Sequence, residues 1–212
     1  MMLIGMYDSP FARRVAVALK IYGLSYRHEP WSTFGDAEKI ARFNPLRRVP
    51  VLVMDDGVAH IDSAAILKVL DDLVGPENAS LARSGREQHE LLRLSAFAAG
   101  VADKALSLLY ERALREATFP LWVERCRAQI SETLDHLEDE RSRRATPWLF
   151  GHALSHADVV LATMSRFVRE ALATEFDWSR WPALSDHSAR CEALAAFREA
   201  SQPFNLVRSS AP

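Results

Sequence analysis

The sequence predicts a mixed α/β domain of order βαβαββα, with a four-stranded sheet, followed by an all-helical domain. Three observations predict it. Short apolar runs alternate with segments of helical spacing through the first third of the chain, Asp55-Asp56-Gly57 marks a hairpin between two apolar runs, and from Leu81 onward apolar residues recur only at helical spacing. The opening βαβ unit demands a parallel crossover and the hairpin an antiparallel pair, so the sheet is mixed and carries helices on its faces. This divides the chain into a first domain at 1–76, a linker at 77–83 and a helical domain at 84–212.

Taken in order, Leu3 to Tyr7 reads as a strand, and Pro10 to Tyr22 as a helix whose Phe11, Val15, Leu19 and Tyr22 fall near one face. Pro10 suits the first helical turn, where a missing N–H costs nothing, and Gly23 closes the helix. Leu24, Tyr26 and His28 alternate with Ser25, Arg27 and Glu29 as a second strand. A helix from Asp36 to Phe43 stops before Asn44-Pro45, because a residue ahead of proline is pushed out of the helical region. Val51–Met54 and Val58–Ile61 form the hairpin, Ser63–Val74 a third helix, and Gly75-Pro76-Glu77-Asn78 a turn leading out of the domain.

Arg83–Glu116 supports one long helix with Leu91, Leu94, Val101, Ala105 and Leu108 along a stripe, and Leu121 to about Arg141 a second, antiparallel to it. The basic cluster Arg141, Arg143 and Arg144 beside Glu138, Asp139 and Glu140 reads as a solvated helix end. In Leu154-Ser155-His156-Ala157-Asp158-Val159, Ser155 is placed to cap a helix and Asp158 to reach back to the Ser155 N–H, with Leu154 and Val159 as a hydrophobic staple. Pro182–Arg190 and Glu192–Ala200 give two shorter helices, and Ser209–Pro212 is expected to fray.

Composition narrows the function. With 26 Lys plus Arg against 28 Asp plus Glu, the chain has no global attraction for nucleic acid or anionic lipid, so no nucleic-acid partner is expected. Apolar residues at 49% and charged residues at 25% sit near the globular average, and no apolar run reaches the roughly 18 residues of a spanning helix, so no membrane partner is expected. The N-terminal apolar run is cut short by Asp8 and Pro10 and reads as a strand, not a signal segment. Two distant cysteines, Cys126 and Cys191, argue against a disulfide framework and for a reducing, cytoplasmic setting. His152 and His156 flank a helix cap and share no helical face, so no metal site is expected. A glycine-rich phosphate loop and a G-x-S-x-G elbow are both absent.

Four segments, in order and at matching spacing over nearly the whole chain, resemble the glutathione S-transferase superfamily. Tyr7-Asp8-Ser9-Pro10-Phe11-Ala12-Arg13-Arg14-Val15 looks like the serine-type first motif of bacterial and plant tau-like members. Asn44 to Leu52 looks like the cis-proline segment, Ile61-Asp62-Ser63-Ala64-Ala65-Ile66-Leu67 like the acidic-Ser turn, and Ser155 to Asp158 like the folding box. The resemblance implies a thioredoxin-like first domain, a homodimer with the third and fourth helices at its interface, and glutathione as co-substrate with no metal. It implies that Ser9 stabilises the thiolate, Tyr7 being the alternative, while Phe11, Arg48, Val49, Pro50, Asp62 and Ser63 bind glutathione. Val49–Pro50 is then cis, with the Val49 backbone pairing with the cysteinyl unit. Asp62 suits the γ-glutamyl ammonium, Ser63 and the helix N–H groups its carboxylate, and Arg48, or else Arg47, the glycine carboxylate.

A small hydrophobic electrophile is expected to meet Phe11, Phe97, Val101 and Leu108. Two departures stand out: Asp62 replaces the more usual Glu, and Ser9 and Ala12 stand where redox relatives carry cysteine, so disulfide exchange is not implied. The expected activity is transfer of the glutathione thiolate to an electrophile. The rival readings are a non-catalytic binding or regulatory protein and a glutathione-dependent isomerase, dehalogenase or peroxidase.

Overall fold

Met2–Ile4 forms β1, Pro10–Ile21 α1, Arg27–Glu29 β2, Ala37–Ala41 α2, Val51–Val53 β3, Ala59–Ile61 β4 and Ser63–Val74 α3 in the computed structural model, which describes residues 1–206. The four strands make one sheet in the order β2-β1-β3-β4, with β1 and β2 parallel and the other two pairs antiparallel. The βαβαββα order and the mixed sheet are as the sequence predicts; the tail expectation for Ser209–Pro212 lies outside the described residues. Ile4, Val51 and Val53 pack with Ile40 of α2, joined by Trp31, Phe43 and Val49. Successive side chains of a strand alternate, so Leu3, fully buried, serves the opposite face.

The first strand is shorter than predicted because the chain turns at Gly5, whose φ of +136° lies outside the range of other residues. A Cβ added there would stand 2.9 Å from the Cβ atoms of both Ala12 and Val49. The absent side chain lets the end of β1 meet the start of α1 and the loop before β3. Tyr7, read as a strand residue, therefore lies in the turn between β1 and α1.

Residues 194–206 belong to this first unit, where the sequence suggested the helical domain; the division falls between Leu81 and Ala82. The cause is Arg13. Only 2% exposed on α1, it donates from Nε to the Ala200 carbonyl (2.7 Å) and from Nη2 to the Phe197 carbonyl (3.0 Å), with its guanidinium 5.6 Å from the Phe197 ring. It thus caps the short helix α8, Ala195–Glu199, whose Phe197 is fully buried. The residues that follow strap the turn before α1: Tyr7 N donates to Gln202 Oε1 and Asn205 N to Asp8 Oδ2, both at 3.3 Å.

In the second unit, α4 (Gly85–Leu114) and α5 (Pro120–Ser142) run antiparallel, since Arg93 meets Glu140 while Lys104 lies over the Trp122 ring. Helices α6 (His156–Ala171) and α7 (Pro182–Glu192) complete the unit, with a 3₁₀ turn at Trp178–Arg180 that the sequence did not suggest. The cluster at the end of α5 is not a solvated helix end. Arg143 is exposed, but Arg141 is buried and donates to the carbonyls of Arg144, Thr146 and Pro147, and Arg144 pairs with Glu140. Backbone carbonyls at the helix end and in the loop beyond it call for donors, and the guanidinium supplies several at once.

The capping box at the head of α6 is formed. Ser155 N donates to Asp158 Oδ2 (2.8 Å), Asp158 N to Ser155 Oγ (3.4 Å), and Leu149 N to Asp158 Oδ1 (2.8 Å), with Ser155 and Asp158 fully buried. Beside it lies His187, also fully buried, accepting at Nδ1 from Arg141 Nε (3.1 Å). A guanidinium can only donate, so the ring proton sits on Nε2, 3.5 Å from Asp158 Oδ1.

Burial, and then the Arg141 charge, push His187 down to about 3. The folded state holds the neutral ring while the unfolded chain takes up a proton near pH 6.5. Stability is therefore full above that pH and is lost as pH falls toward 3, by up to about 1.4 kcal/mol per unit. Urea unfolding from pH 7.5 to 4.5 is expected to show this extra slope in the native protein and not in His187→Gln.

Candidate functional site

The candidate residues sit where the first unit exposes two helix starts and one loop. Ser9 is the N-cap of α1, in extended conformation with φ −71° and ψ 122°, and is half-buried. Its Oγ accepts from Ala12 N at 3.3 Å. A hydroxyl has two acceptor positions and one proton, so capping uses a lone pair and leaves the O–H to donate. Capping the helix and donating to a thiolate are therefore compatible in this one side chain. The start of α1 also supplies positive potential at the same point.

Tyr7 is differently engaged. Its phenol lies 2.8 Å from the Tyr26 hydroxyl, and its ring stacks on His28 with centroids 3.9 Å apart and planes 3° from parallel. His28 in turn bonds through Nε2 to the Gly5 carbonyl (2.8 Å). Burial, and then the bond to Tyr7, push the Tyr26 phenol well above the ordinary range, so it stays protonated. Tyr7→Phe is expected to cost about 1 kcal/mol of stability from the lost hydrogen bond, read by urea unfolding.

The Val49–Pro50 bond is cis, as the resemblance implies. Asn44, almost fully buried, braces this loop by donating from Nδ2 to the Arg48 carbonyl (2.8 Å) and accepting at Oδ1 from Leu46 N (3.0 Å). Sequence reasoning took Asn44 as part of a helix stop and as the first residue of the cis-proline segment, with no bracing role. Of the two candidate arginines, Arg47 has φ +54° and pairs with Glu38 at 2.7 Å, which ties it to α2; Arg48 is exposed.

Asp62 and Ser63 open α3. Asp62 has φ +66°, and its Oδ1 accepts from Ala64 N (2.8 Å) and Ala65 N (3.2 Å). Those first-turn N–H groups, which the sequence reading left for a ligand carboxylate, are thus taken by Asp62 itself. Ser63 is 3% exposed, and its Oγ accepts from Arg14 Nη2 at 2.5 Å. Arg14 was not among the predicted site residues. Its signal was in the sequence: α1 carries apolar residues around its whole circumference, so a charged residue within it is buried with them and needs a partner.

Phe11 is half-buried with the Arg14 guanidinium 5.8 Å from its ring. Of the residues expected to meet an electrophile on α4, Val101 and Leu108 are 1% and 0% exposed on the stripe that packs within the helical unit. Phe97 is 38% exposed, edge-on to His136 with centroids 4.8 Å apart.

Residues 3–78 match the family model for the glutathione S-transferase N-terminal domain, and residues 120–190 match that for the C-terminal domain. The chain is 33% identical over 140 residues to the GST-like protein YibF of Escherichia coli K12, covering 65% of this chain and 68% of that protein. It is 30% identical over 212 residues to a probable maleylacetoacetate isomerase of Vibrio cholerae, covering 95% of each.

The chain belongs to the glutathione S-transferase family. Its class is that of a glutathione-using transferase enzyme. Among solved glutathione S-transferases, that of Methylobacterium radiotolerans in complex with glutathione sulfonate superposes with a TM-score of 0.90 at 25% identity, covering 100% of this chain and 99% of that one. The Methylobacillus flagellatus glutathione S-transferase with glutathione bound gives a TM-score of 0.86 at 25% identity, covering 96% and 99%. The glutathione S-transferase fold of this chain thus combines the four-stranded mixed sheet with an all-helical unit. Among the described residues no helix is long and apolar enough to cross a membrane.

Proposed function

We propose that the protein transfers the glutathione thiolate to a small hydrophobic electrophile, with the Ser9 hydroxyl donating to the sulfur. The observation that carries the reading is Ser9 itself: half-buried at the start of α1, with its one proton left to donate. A free thiol has a pKa of about 8.5 and is mostly protonated at neutral pH, while only the thiolate is a good nucleophile. A hydrogen bond to a charged group contributes about 1.5–3 kcal/mol, and a helix N-terminus adds about 0.3–1. Together these lower the bound thiol by more than about one pKa unit, and a shift beyond about 1.5 units makes thiolate the main form at pH 7.

In this reading the Val49 backbone pairs with the cysteinyl unit, Asp62 takes the γ-glutamyl ammonium, Ser63 its carboxylate and Arg48 the glycine carboxylate. Pro50 and Phe11 shape the floor beside the sulfur. The thiolate forms a C–S bond to the electrophilic carbon, and the displaced group leaves with the electron pair. The solved relatives holding glutathione and glutathione sulfonate support the choice of thiol. Both cysteines are buried as free thiols, which suits a reducing, cytoplasmic setting. The family resemblance carries a homodimer with it, for which light scattering is expected to report two chains per particle.

A second reading is glutathione-dependent isomerisation, favoured by the full-length similarity to the probable maleylacetoacetate isomerase. There the thiolate adds to an activated double bond and is released again, so glutathione is not consumed. The test is calorimetric titration with glutathione, followed by assay with an activated aromatic chloride while free thiol is counted. Micromolar to millimolar binding with loss of one thiol per product is expected. Binding without conjugation of the chloride, but with turnover of a conjugated cis-diacid and no thiol loss, favours the isomerase. Binding with neither reaction leaves a binding protein.

A further inference from the structure

We infer that His28 is a positioning residue for Ser9, holding the turn before α1 so that the serine hydroxyl meets the sulfur; the inference rests on the reading that Ser9 donates to the thiolate. The turn needs an outside hold because it starts at Gly5. With φ +136° and no side chain, Gly5 is the least constrained residue of the segment, and the close approach of Ala12 and Val49 shuts out any residue that would stiffen it. His28, half-buried on β2, supplies the hold. Its Nε2 lies 2.8 Å from the Gly5 carbonyl, which can only accept, so Nε2 carries the ring proton. The bond fixes the peptide plane that joins Gly5 to Met6.

The same ring takes the turn a second time. Its face lies against Tyr7, with centroids 3.9 Å apart and planes 3° from parallel. His28 thus grips the chain on both sides of Met6, and the Met6 carbonyl is the acceptor for Ser9 N at 3.2 Å. The bond to Gly5 is also shorter than the 3.3 Å one by which Gln202 takes Tyr7 N. A hydroxyl donor weakens steeply once it leaves line with its acceptor, so a turn free to shift about the glycine would lose the sulfur without unfolding. The Tyr7 phenol has no part in this: it meets Tyr26, and His28 uses only the ring.

The experiment reads the thiolate absorbance of bound glutathione against pH in native protein, His28→Leu, His28→Gln, Ser9→Ala and the double variant Ser9→Ala/His28→Leu. His28→Leu, which loses both bond and stack, is expected to raise the midpoint by about half a pKa unit or more, roughly a threefold change in the ionisation constant. His28→Gln keeps an N–H at the reach of Nε2 and is expected to recover most of that shift. The double variant is expected to match Ser9→Ala, because without the hydroxyl there is nothing left to position. S-methylglutathione, which has the same peptide and no ionisable sulfur, is expected to bind native protein and His28→Leu within about twofold in calorimetric titration. If His28→Leu does not fold, His28→Phe, which keeps a flat ring against Tyr7 and loses the donor, is read in its place.

An unmoved midpoint in His28→Leu would overturn the inference, as would no recovery in His28→Gln or a shift that persists undiminished in the Ser9→Ala background. Weakening of S-methylglutathione in step with the midpoint would make His28 merely structural and overturn it as well. Ser9→Ala alone separates the failures. If it raises the midpoint while the His28 variants do not, only the role of His28 is wrong. If Ser9→Ala leaves the midpoint at the native value, the thiolate donor itself is misassigned and the inference falls with it.

Discussion

Ser9→Ala is expected to lower kcat/KM for conjugation of an activated aromatic chloride by about 10- to 30-fold at pH 7, the ratio of a largely ionised bound thiol to one of pKa about 8.5 that is about 3% ionised there. The loss is expected to be pH-dependent. The native protein holds its bound thiol already ionised, whereas in the variant the rate should climb with pH until it nears the free thiol pKa of about 8.5, where the gap between the two closes. The cap is a lesser matter: at 3.3 Å the bond from Ala12 N is long, and its removal should cost about 0.5–1 kcal/mol of stability. Ser9→Thr keeps a hydroxyl at the same place and should retain most of the rate. A pH-independent loss would instead point to a damaged turn before α1, the turn that Gln202 and Asn205 strap.

Asp158→Ala is expected to have the largest effect on stability. Its carboxylate is fully buried and accepts from Leu149 N, Ser155 N and Ser155 Oγ at 2.8, 2.8 and 2.6 Å. Removing the acceptor leaves two backbone N–H groups without their partner in the interior, at a cost of about 3–5 kcal/mol. For a chain of this size that lowers Tm by about 6–20 °C in a calorimetric scan. Asp158→Asn is informative because each oxygen of the carboxylate accepts a different backbone N–H. An amide offers only one oxygen, so its NH2 must face a donor, and most of the loss should persist. An Asp158→Asn protein as stable as the native would show that one of the two bonds carries the box alone. Turnover per folded molecule is expected to stay within about twofold, since the box is structural.

Much of the architecture was legible because its signals are local. Periodicity, Pro10, Gly23, the Asp55-Asp56-Gly57 turn and the Ser155–Asp158 box each mark an element from residues within a few positions of one another. What escaped was decided at a distance. Nothing near Leu194 says that the chain returns to the first unit; that depends on Arg13, some 187 residues away along the chain, finding the Ala200 carbonyl.

The site divided in the same way. That Ser9 and Asp62 stand at the starts of helices follows from neighbouring residues; that Asp62 takes the first-turn N–H groups itself does not. The engagement of Tyr7 with Tyr26 and His28 depends on how β2 pairs with β1. Val101 and Leu108 show the limit of a stripe: helical spacing says which side is apolar, and only packing says whether that side is closed. Arg141 shows the converse, since a charge in the sequence suggests solvent until the carbonyls of the following loop and His187 of α7 take it inside.

The most direct test of the account follows the ultraviolet thiolate absorbance of bound glutathione as pH is raised from 5 to 9, in native protein, Ser9→Ala and Tyr7→Phe. The native midpoint is expected about one to two units below the free thiol value of about 8.5, with Tyr7→Phe matching it and Ser9→Ala returning close to the free value. A Ser9→Ala midpoint equal to the native one, or a shift produced by Tyr7→Phe alone, would contradict the assignment of Ser9.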